Sequence, residues 1–308
     1  MPRENKIVIP PKLVELVVLL AKNYSAATGA DPAEYYEQYY LDLVPHISVI
    51  FSVGRDFGFR ESDKILEIGS GLGTRCLIGN AIFGSEFTGI EPCANTYSYL
   101  KGAIDAFQKS NPHLGYHSIE QKGESTGLTT ASFDYLLSFE VMEHVDSPRE
   151  VVKEMYRLLK PGGKIFISSC NYDSFYEGHF RCLWLPFLNK KLQKKYLKMI
   201  GRNDKFLDEI NFITKRDILN NLREVGFSNI VIHGNYPFDE LRDFYIQYPS
   251  GYNINRIAGK SKVLQRLMQG PQIARLLKRC DREYKLYLTA EKPHETNSPP
   301  LKPTPSEQ

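Results

Sequence analysis

The stretch KILEIGSGLGTRCL, Lys64 to Leu77, decides the fold of this chain of 308 residues. A short apolar run contains an acid, Glu67, and is followed by three glycines at alternate positions, Gly69, Gly71 and Gly73. A strand, a glycine turn and a helix in this order place backbone N–H groups at the carboxyl edge of a sheet, where open α/β proteins bind ligands. Because glycine has no Cβ, a ligand can approach this main chain closely. The stretch therefore predicts a ligand-binding strand, loop and helix.

Short β-rich runs alternate with helical stretches throughout residues 64–170. The strand candidates are KILEI, EFTGIE, FDYLLSF and KIFISSC, and helical spacing of apolar residues occurs at 93–109 and 147–160. This alternation predicts parallel strands joined by right-handed crossovers, hence a three-layer α/β sandwich. Ser147, Pro148 and Glu150 indicate an N-cap, a first-position proline and a capping box at the clearest helix. Two later runs, NIVIHG and EYKLYLTAEK, are further strand candidates.

Composition and the alternation of predicted strands and helices divide the chain into five parts. Two long irregular segments interrupt the end of the sheet, and insertions of that length usually build a cap over the site. The parts are residues 1–59, two helices serving as lid or support; 60–170, the ligand-binding α/β core; 171–212, the cap insertion; 213–292, the end of the sheet with a basic helical insertion at 235–283; and 293–308, a proline-rich disordered tail.

Bulk composition excludes several classes of protein. The net charge of +3 is too small to require a nucleic-acid partner, and five cysteines without C-x-x-C spacing favour a reducing, cytoplasmic setting. The longest apolar run, Leu13 to Ala21, contains Glu15 and is far too short for a membrane span. We expect a globular cytoplasmic protein, and the sequence leaves its oligomeric state open.

The glycine loop is not of the dinucleotide type. The third glycine falls one position early for G-x-G-x-x-G, with Thr74 in its place, and the lysine of a phosphate-binding P-loop is absent. A second acid, Glu91, ends the next strand, where a carboxylate suits a pair of ribose hydroxyls. The pattern indicates a nucleoside ligand that lacks a phosphate.

Together with Gly123-Glu124 before the fourth strand and the FDYLLSFEVMEHV and LLKPGG segments, this pattern resembles the class I S-adenosylmethionine-dependent methyltransferases over residues 60–170. The resemblance implies a Rossmann-like, mostly parallel seven-stranded sheet with an antiparallel last strand. It also implies that S-adenosylmethionine is the cofactor, with the methionine part at Glu67 and the glycine loop and the ribose at Glu91. The cofactor-binding residues implied in this way are Glu67, Gly69, Ser70, Gly71, Gly73, Glu91, Pro92, Glu124, Ser125 and Phe139, of which Glu124 and Ser125 lie near the adenine.

Glu140, Glu143 and His144 follow the fourth strand directly. If the chain turns helical there, their i, i+3 and i+4 spacing places all three on one face beside the methyl group. The E-x-x-E-H segment is similar to that of the ubiquinone-biosynthesis O-methyltransferases and of small-RNA 2′-O-methyltransferases. That similarity implies a divalent cation such as Mg²⁺ at the three residues; the alternative is His144 as general base, or simply packed, without metal.

The cap segment supplies the candidate acceptor site. We expect Tyr172, Asp173, Tyr176, His179 and Arg181 to line it, the alternative being that the aromatic residues merely pack the cap. This segment is weakly similar to methyltransferases associated with bacterial polysaccharides and glycolipids.

Two basic stretches suit an anionic membrane surface or a phosphorylated acceptor. Five lysines follow WLPFL within 184–198, and residues 256–285 carry a net charge of +7 (nine basic residues less Asp281 and Glu283). Each stretch could equally be the solvated face of a cap helix.

These observations favour an S-adenosylmethionine-dependent O-methyltransferase. A histidine beside two acids suits a hydroxyl, because a hydroxyl nucleophile must lose its proton. The expected acceptor is a small or lipid-linked molecule, such as a sugar or a quinone-like ring, with peripheral contact at the inner membrane face. Two alternatives remain open: an RNA 2′-O-methyltransferase, although composition disfavours a nucleic-acid partner, and a non-catalytic cofactor-binding subunit.

Overall fold

The computed structural model describes residues 8, 11–29, 33, 43–92, 98–233 and 283–294. The basic insertion at 235–283, apart from its last residue, and the tail beyond residue 294 therefore lie outside the described residues, as do Cys93 and Cys280. Of the predicted helix at 93–109, the structure describes the part from residue 98 onward.

Seven α-helices, nine strands and one 3-10 helix occur in the described ranges. In chain order they are α1 (Pro11–Thr28), α2 (Leu43–Phe57), β1 (Lys64–Ile68), α3 (Thr74–Phe83), β2 (Glu86–Ile90), α4 (Ser98–Ser110), β3 (Tyr116–Ile119), β4 (Phe133–Phe139), α5 (Pro148–Leu158), β5 (Leu159–Cys170), β6 (Tyr176–Glu177), β7 (Cys182–Leu183), α6 (Lys190–Met199), the 3-10 helix (Lys205–Glu209), α7 (Lys215–Val225), β8 (Ser228–His233) and β9 (Lys285–Glu291). None of these helices is long and apolar enough to cross a bilayer.

The main sheet has seven strands in the order β3-β2-β1-β4-β5-β9-β8. Strands β1 to β5 pair in parallel, and β9 runs antiparallel to both of its neighbours. Strand β1 shows the alternation that builds three layers: Ile65 faces one apolar cluster, whereas Leu66 and Ile68 face the other. Helices α1 to α4 contribute to the first cluster and α5, α7 and the cap to the second. The predicted three-layer, mostly parallel sandwich with an antiparallel last strand is confirmed.

Two details of the α5 region differ from prediction. Strand β5 begins at Leu159 and includes the KPGG residues, so it starts earlier than the predicted strand KIFISSC. Ser147 does cap α5 by accepting the Glu150 N–H, but the reciprocal bond of the capping box is absent. The Ser147 N–H is instead donated to Glu124, 3.2 Å away.

The cap at 171–212 is only partly helical. It begins with the small antiparallel hairpin of β6 and β7 and continues into α6 and the 3-10 helix. Trp184, fully buried, anchors this segment in the same apolar cluster as α5 and α7. The cap is therefore packed as part of the core on one face of the sheet.

Candidate active site

A cavity of about 820 Å³ opens at the carboxyl ends of β1, β2, β4 and β5. The cap and the N-terminal helices complete its walls, with Tyr24 from α1 and His46 from α2. The predicted site residues that line it are Gly69, Ser70, Gly71, Glu91, Pro92, Glu124, Phe139, Glu140, His144, His179 and Arg181. Those absent from its walls are Glu67, Gly73, Ser125, Glu143, Tyr172, Asp173 and Tyr176.

The glycine loop leaves room for a ligand at one of its three glycines. Gly71 has φ 54°, and a Cβ there would meet nothing within 4 Å. At Gly69 and Gly73 a Cβ would instead overlap protein side chains, those of Val141 and Tyr116. The space of the missing Cβ is therefore filled by protein at Gly69 and Gly73, although Gly69 still lines the cavity. The close approach of a ligand to the main chain is available at Gly71.

Glu67 is buried beneath the loop and does not reach the cavity. Its carboxylate pairs with the Arg75 guanidinium at 2.8 Å and accepts the Cys76 thiol at 3.1 Å. Burial raises the pKa of Glu67, although Arg75 and Cys76 oppose the rise. Arg75 lies 4.5 Å above the centre of the Phe139 ring and lines the cavity. The charged group presented to a ligand here is therefore Arg75, which Glu67 holds in place.

Glu91 presents its carboxylate to the cavity from the end of β2. The Gly71 N–H donates to Glu91 at 3.0 Å and joins the loop to this side chain. Burial raises the pKa of Glu91 to about 7, against the opposing effect of the Gly71 N–H. One carboxylate oxygen has this bond, so the group can still accept hydrogen bonds from a ligand.

Glu124 lines the cavity but also has a structural task. It accepts the backbone N–H groups of Asp146 and Ser147 at 2.8 and 3.2 Å, which fixes the chain before α5. Its neighbour Ser125 is exposed and is absent from the cavity walls. The structure thus brings one of the two predicted adenine residues to the cavity.

The E-x-x-E-H segment is a turn, so the condition for placing its three residues on one helical face is not met. Glu140 has φ 57°, and its N–H donates to the Ser168 carbonyl at 3.0 Å. The Asn211 backbone N–H donates to the Glu143 carbonyl at 2.6 Å, so the cap also holds this turn. These long-range bonds, together with the local bond from the His144 N–H to the Val141 carbonyl at 2.8 Å, hold the segment as a turn.

As a consequence, the three residues do not share one face. The Glu140 carboxylate points to β5 and β9, where it accepts the Ser168 hydroxyl at 2.8 Å and lies 3.4 Å from Lys285 Nζ. Burial disfavours its charge, but Lys285 and Ser168 prevail and lower the pKa of Glu140. Among the described residues, the ligand-type atoms that converge are those of Glu143, Cys170 and His179, and the expected set of Glu140, Glu143 and His144 does not come together in this structure.

His144 and His179 stand together at the cavity wall. Their rings meet edge to face with centroids 5.2 Å apart, and both pack against Phe206. The His144 side chain is exposed to the open cavity, yet desolvation by the surrounding protein lowers its pKa despite the opposing effect of Glu143, so this ring is neutral at neutral pH. A neutral imidazole at a cavity wall is chemically able to accept a proton.

His179 is oriented by a buried carboxylate that sequence reasoning missed. Its Nδ1 lies 2.6 Å from Glu177 Oε1, and Glu177 also accepts the Phe180 N–H at 2.7 Å. Burial disfavours a charged ring, but Glu177, Glu143 and Glu140 together raise the pKa of His179. His144 and His179 therefore differ in charge preference.

Three of the predicted acceptor residues lie outside the cavity. Tyr172 is fully buried, stacks on Phe212 and donates its hydroxyl to Glu177 at 3.2 Å. Tyr176 packs edge to face on Tyr284, and Asp173 is half-buried outside the cavity. His179 and Arg181 remain at the cavity wall. The packing alternative therefore describes the two tyrosines.

Sequence reasoning also missed several residues that reach the cavity. They are His46, Arg75, Cys170, Tyr284 and Lys285. Burial and the nearby Arg75 lower the pKa of His46 to about 3, so this ring is neutral. Arg75 carried a signal, because it follows the glycine loop directly; the others had none that links them to the site.

Comparisons with known proteins agree with this geometry. A family model described as a methyltransferase domain matches residues 33–232. The ubiquinone biosynthesis O-methyltransferase of Paracidovorax citrulli is 33% identical over 115 residues, 36% of this chain and 45% of that protein. The arsenite methyltransferase of Mus musculus is 28% identical over 153 residues, 46% of this chain and 40% of that protein. The solved Haemonchus contortus phosphoethanolamine N-methyltransferase 2 has 17% identity and a TM-score of 0.50, covering 80% of this chain and 52% of that one.

The sheet order, the glycine loop and the acid at the end of β2 define the class I S-adenosylmethionine-dependent methyltransferase fold. The chain belongs to the methyltransferase-domain family, whose model covers well over half of it. It spans less than half the length of the two curated relatives, and their names point to different acceptors. The likeness to the solved structure shows the fold alone.

Proposed function

We propose that this protein transfers a methyl group from S-adenosylmethionine to a hydroxyl of a small or lipid-linked acceptor. The main support for the proposal is the neutral ring of His144, which lies in the loop after β4 and lines the cavity wall. A hydroxyl must lose a proton to act as a nucleophile, and a neutral imidazole can hold that proton.

The residues present fit the cofactor. The open space above Gly71 admits a ligand against the main chain, and the Glu91 carboxylate beside it can accept two ribose hydroxyls. Arg75, held by Glu67, offers its charge to a carboxylate. When bound, the cofactor supplies the electrophilic methyl group. A cavity of about 820 Å³ is wide enough for a nucleoside-sized cofactor and the reacting end of an acceptor.

Exposed apolar residues of the cap support a lipid-linked acceptor. Leu192 and Met199 are seven residues apart on α6, hence on one face, and are 44% and 77% exposed. Lys191 and Lys195 are exposed near them, and Phe187 just before the helix is 53% exposed. Apolar groups flanked by lysines suit the headgroup zone of an anionic membrane.

The reaction is tested with radiolabelled cofactor and fractionated cell extract. We expect label in neutral material that resists alkali, because an ether methyl survives alkaline treatment whereas a methyl ester does not. Label in RNA would instead favour the 2′-O-methyltransferase alternative, whose basic segment at 256–285 falls almost entirely outside the described residues. Binding of S-adenosylhomocysteine without any transfer would favour the non-catalytic subunit.

Cofactor affinity should decrease as the pH is lowered, because Glu91 becomes protonated. Because the pKa of Glu91 is about 7, acidification protonates the carboxyl and removes an acceptor for the ribose hydroxyls. We expect S-adenosylhomocysteine to bind about tenfold more weakly at pH 6 than at pH 8, as measured by calorimetry. Glu91→Gln should bind weakly at both values with little pH dependence. Parallel pH profiles for the two proteins would refute the ribose role of Glu91.

A further inference from the structure

A cluster of ligand-type side chains lies beside His144, where the core meets the cap. Glu143, Cys170 and His179 bring a carboxylate oxygen, a sulfur and a ring nitrogen within 4.8 Å of one another. They come from the turn after β4, the end of β5 and the hairpin of β6 and β7. We propose that these three side chains bind a divalent transition-metal ion of the zinc type.

The strongest indication is an unsatisfied oxygen. Glu143 is fully buried, and its Oε2 accepts the Ser169 hydroxyl at 3.0 Å, whereas Oε1 has no hydrogen-bond partner in the described ranges. Within the same ranges Glu143 forms no ion pair. A buried carboxylate oxygen without a hydrogen-bond partner is costly, and a cation bound to Oε1 would remove that cost.

His179 is prepared for the same ion. Because Glu177 takes Nδ1 at 2.6 Å, the nitrogen left to a ligand is Nε2. Glu177 is itself fixed by the Tyr172 hydroxyl and the Phe180 N–H. A carboxylate that orients a histidine through its second nitrogen is the usual outer partner of a metal-bound imidazole.

The donors select the kind of metal. One thiolate, one imidazole and one carboxylate suit Zn²⁺ or Co²⁺, whereas Mg²⁺ prefers oxygen ligands alone. Tetrahedral donors around zinc lie about 3.6 Å apart, so small side-chain rotations would close the site. Glu140 is not a donor, because Ser168 and Lys285 already bind its carboxylate.

Such an ion would join the cap to the ends of β4 and β5. Three protein ligands leave a fourth position, and both Cys170 and His179 line the cavity, so that position is open to an acceptor oxygen. Metal uptake displaces the thiol proton of Cys170 to solvent as the sulfur–metal bond forms. The binding site does not depend on the proposed reaction; only its contact with the acceptor does.

The site is tested by titrating Co²⁺ into the chelator-treated full chain, without cofactor or acceptor. We expect a thiolate-to-cobalt charge-transfer band in the near ultraviolet, which Zn²⁺ abolishes by displacement and Mg²⁺ does not. Cys170→Ser should remove the band. Cys182→Ser, which alters another buried cysteine of the cap, should retain it.

Affinity measurements provide a second readout that does not require loss of the thiol. Glu143→Gln keeps the shape of the side chain and should weaken Co²⁺ binding about a hundredfold. His117→Gln, an exposed histidine on β3, should leave it unchanged. Absence of the band in the native chain, or its persistence in Cys170→Ser, would overturn the proposal. Because no methyl transfer is measured, failure of the proposed reaction would leave this result unaffected.

Discussion

His144→Ala is expected to lower the turnover number about 10²- to 10⁴-fold, the range for loss of a general base. The ring is neutral because desolvation by the surrounding protein lowers its pKa, and it is exposed at the cavity wall, where an acceptor hydroxyl can reach it. S-adenosylhomocysteine affinity should change by less than about threefold, since His144 is not one of the predicted cofactor-binding residues. Label incorporation at saturating cofactor and calorimetry measure the two quantities.

The controls separate chemistry from packing. His144 packs against His179 and Phe206, so its removal could lower the activity by loosening the cap and not by removing a base. His144→Gly with added imidazole should regain part of the activity, an effect that a purely structural role would not give. His117→Ala on β3 should behave as the native protein does. Full activity of His144→Ala, or a loss accompanied by equal loss of cofactor affinity, would contradict the role of general base.

The sheet could be predicted because its signals are local. Strands β1, β2 and β4 are apolar runs bounded by turn residues, and their alternation with helices leaves few topologies open. The start of α5 could also be predicted from a local signal, because Ser147 and Pro148 suffice to place it. Boundaries were less secure where tertiary bonds decide, as at β5, which continues backwards through KPGG to Leu159.

The turn after β4 could not be predicted from local pattern. Its sequence, EVMEHV, has apolar residues at helical spacing, and isolated propensity favours a helix. The structure bends it instead, because Ser168 and Asn211 provide bonds from β5 and the cap. Because these partners lie far along the chain, no local sequence pattern indicates them. The same bend separates Glu140 from His144 and changes the candidate metal ligands.

The contacts between residues of the site could not be predicted from the sequence either. Lys285, the first residue of β9, forms an ion pair with Glu140 although the two residues are far apart along the chain. Glu177 and His179 are two residues apart, yet their contact depends on the short hairpin of β6 and β7, whose strands are too brief to recognise. The residue types of the site were thus visible in the sequence, whereas their partners were not.

Arg75→Met is expected to destabilise the protein by about 3 kcal/mol or more at pH 8. The change leaves the Glu67 carboxylate fully buried with only the Cys76 thiol as a partner, because the ion pair at 2.8 Å is lost. Burial already raises the pKa of Glu67, and without Arg75 the pKa rises further. Urea unfolding followed by circular dichroism measures the free energy of unfolding.

The pH dependence distinguishes this buried charge from a loss of packing. A carboxyl whose folded pKa is raised contributes stability at low pH that is lost as the pH rises through that pKa, so the deficit of Arg75→Met should shrink between pH 8 and pH 5. Glu67→Gln combined with Arg75→Met should recover at least half of the deficit at pH 8, since no charge remains buried. Lys101→Met, which breaks the exposed pair with Glu120, should show no measurable change. An equal deficit at all pH values would mean that Arg75 stabilises the loop through its contact with Phe139 and not through Glu67.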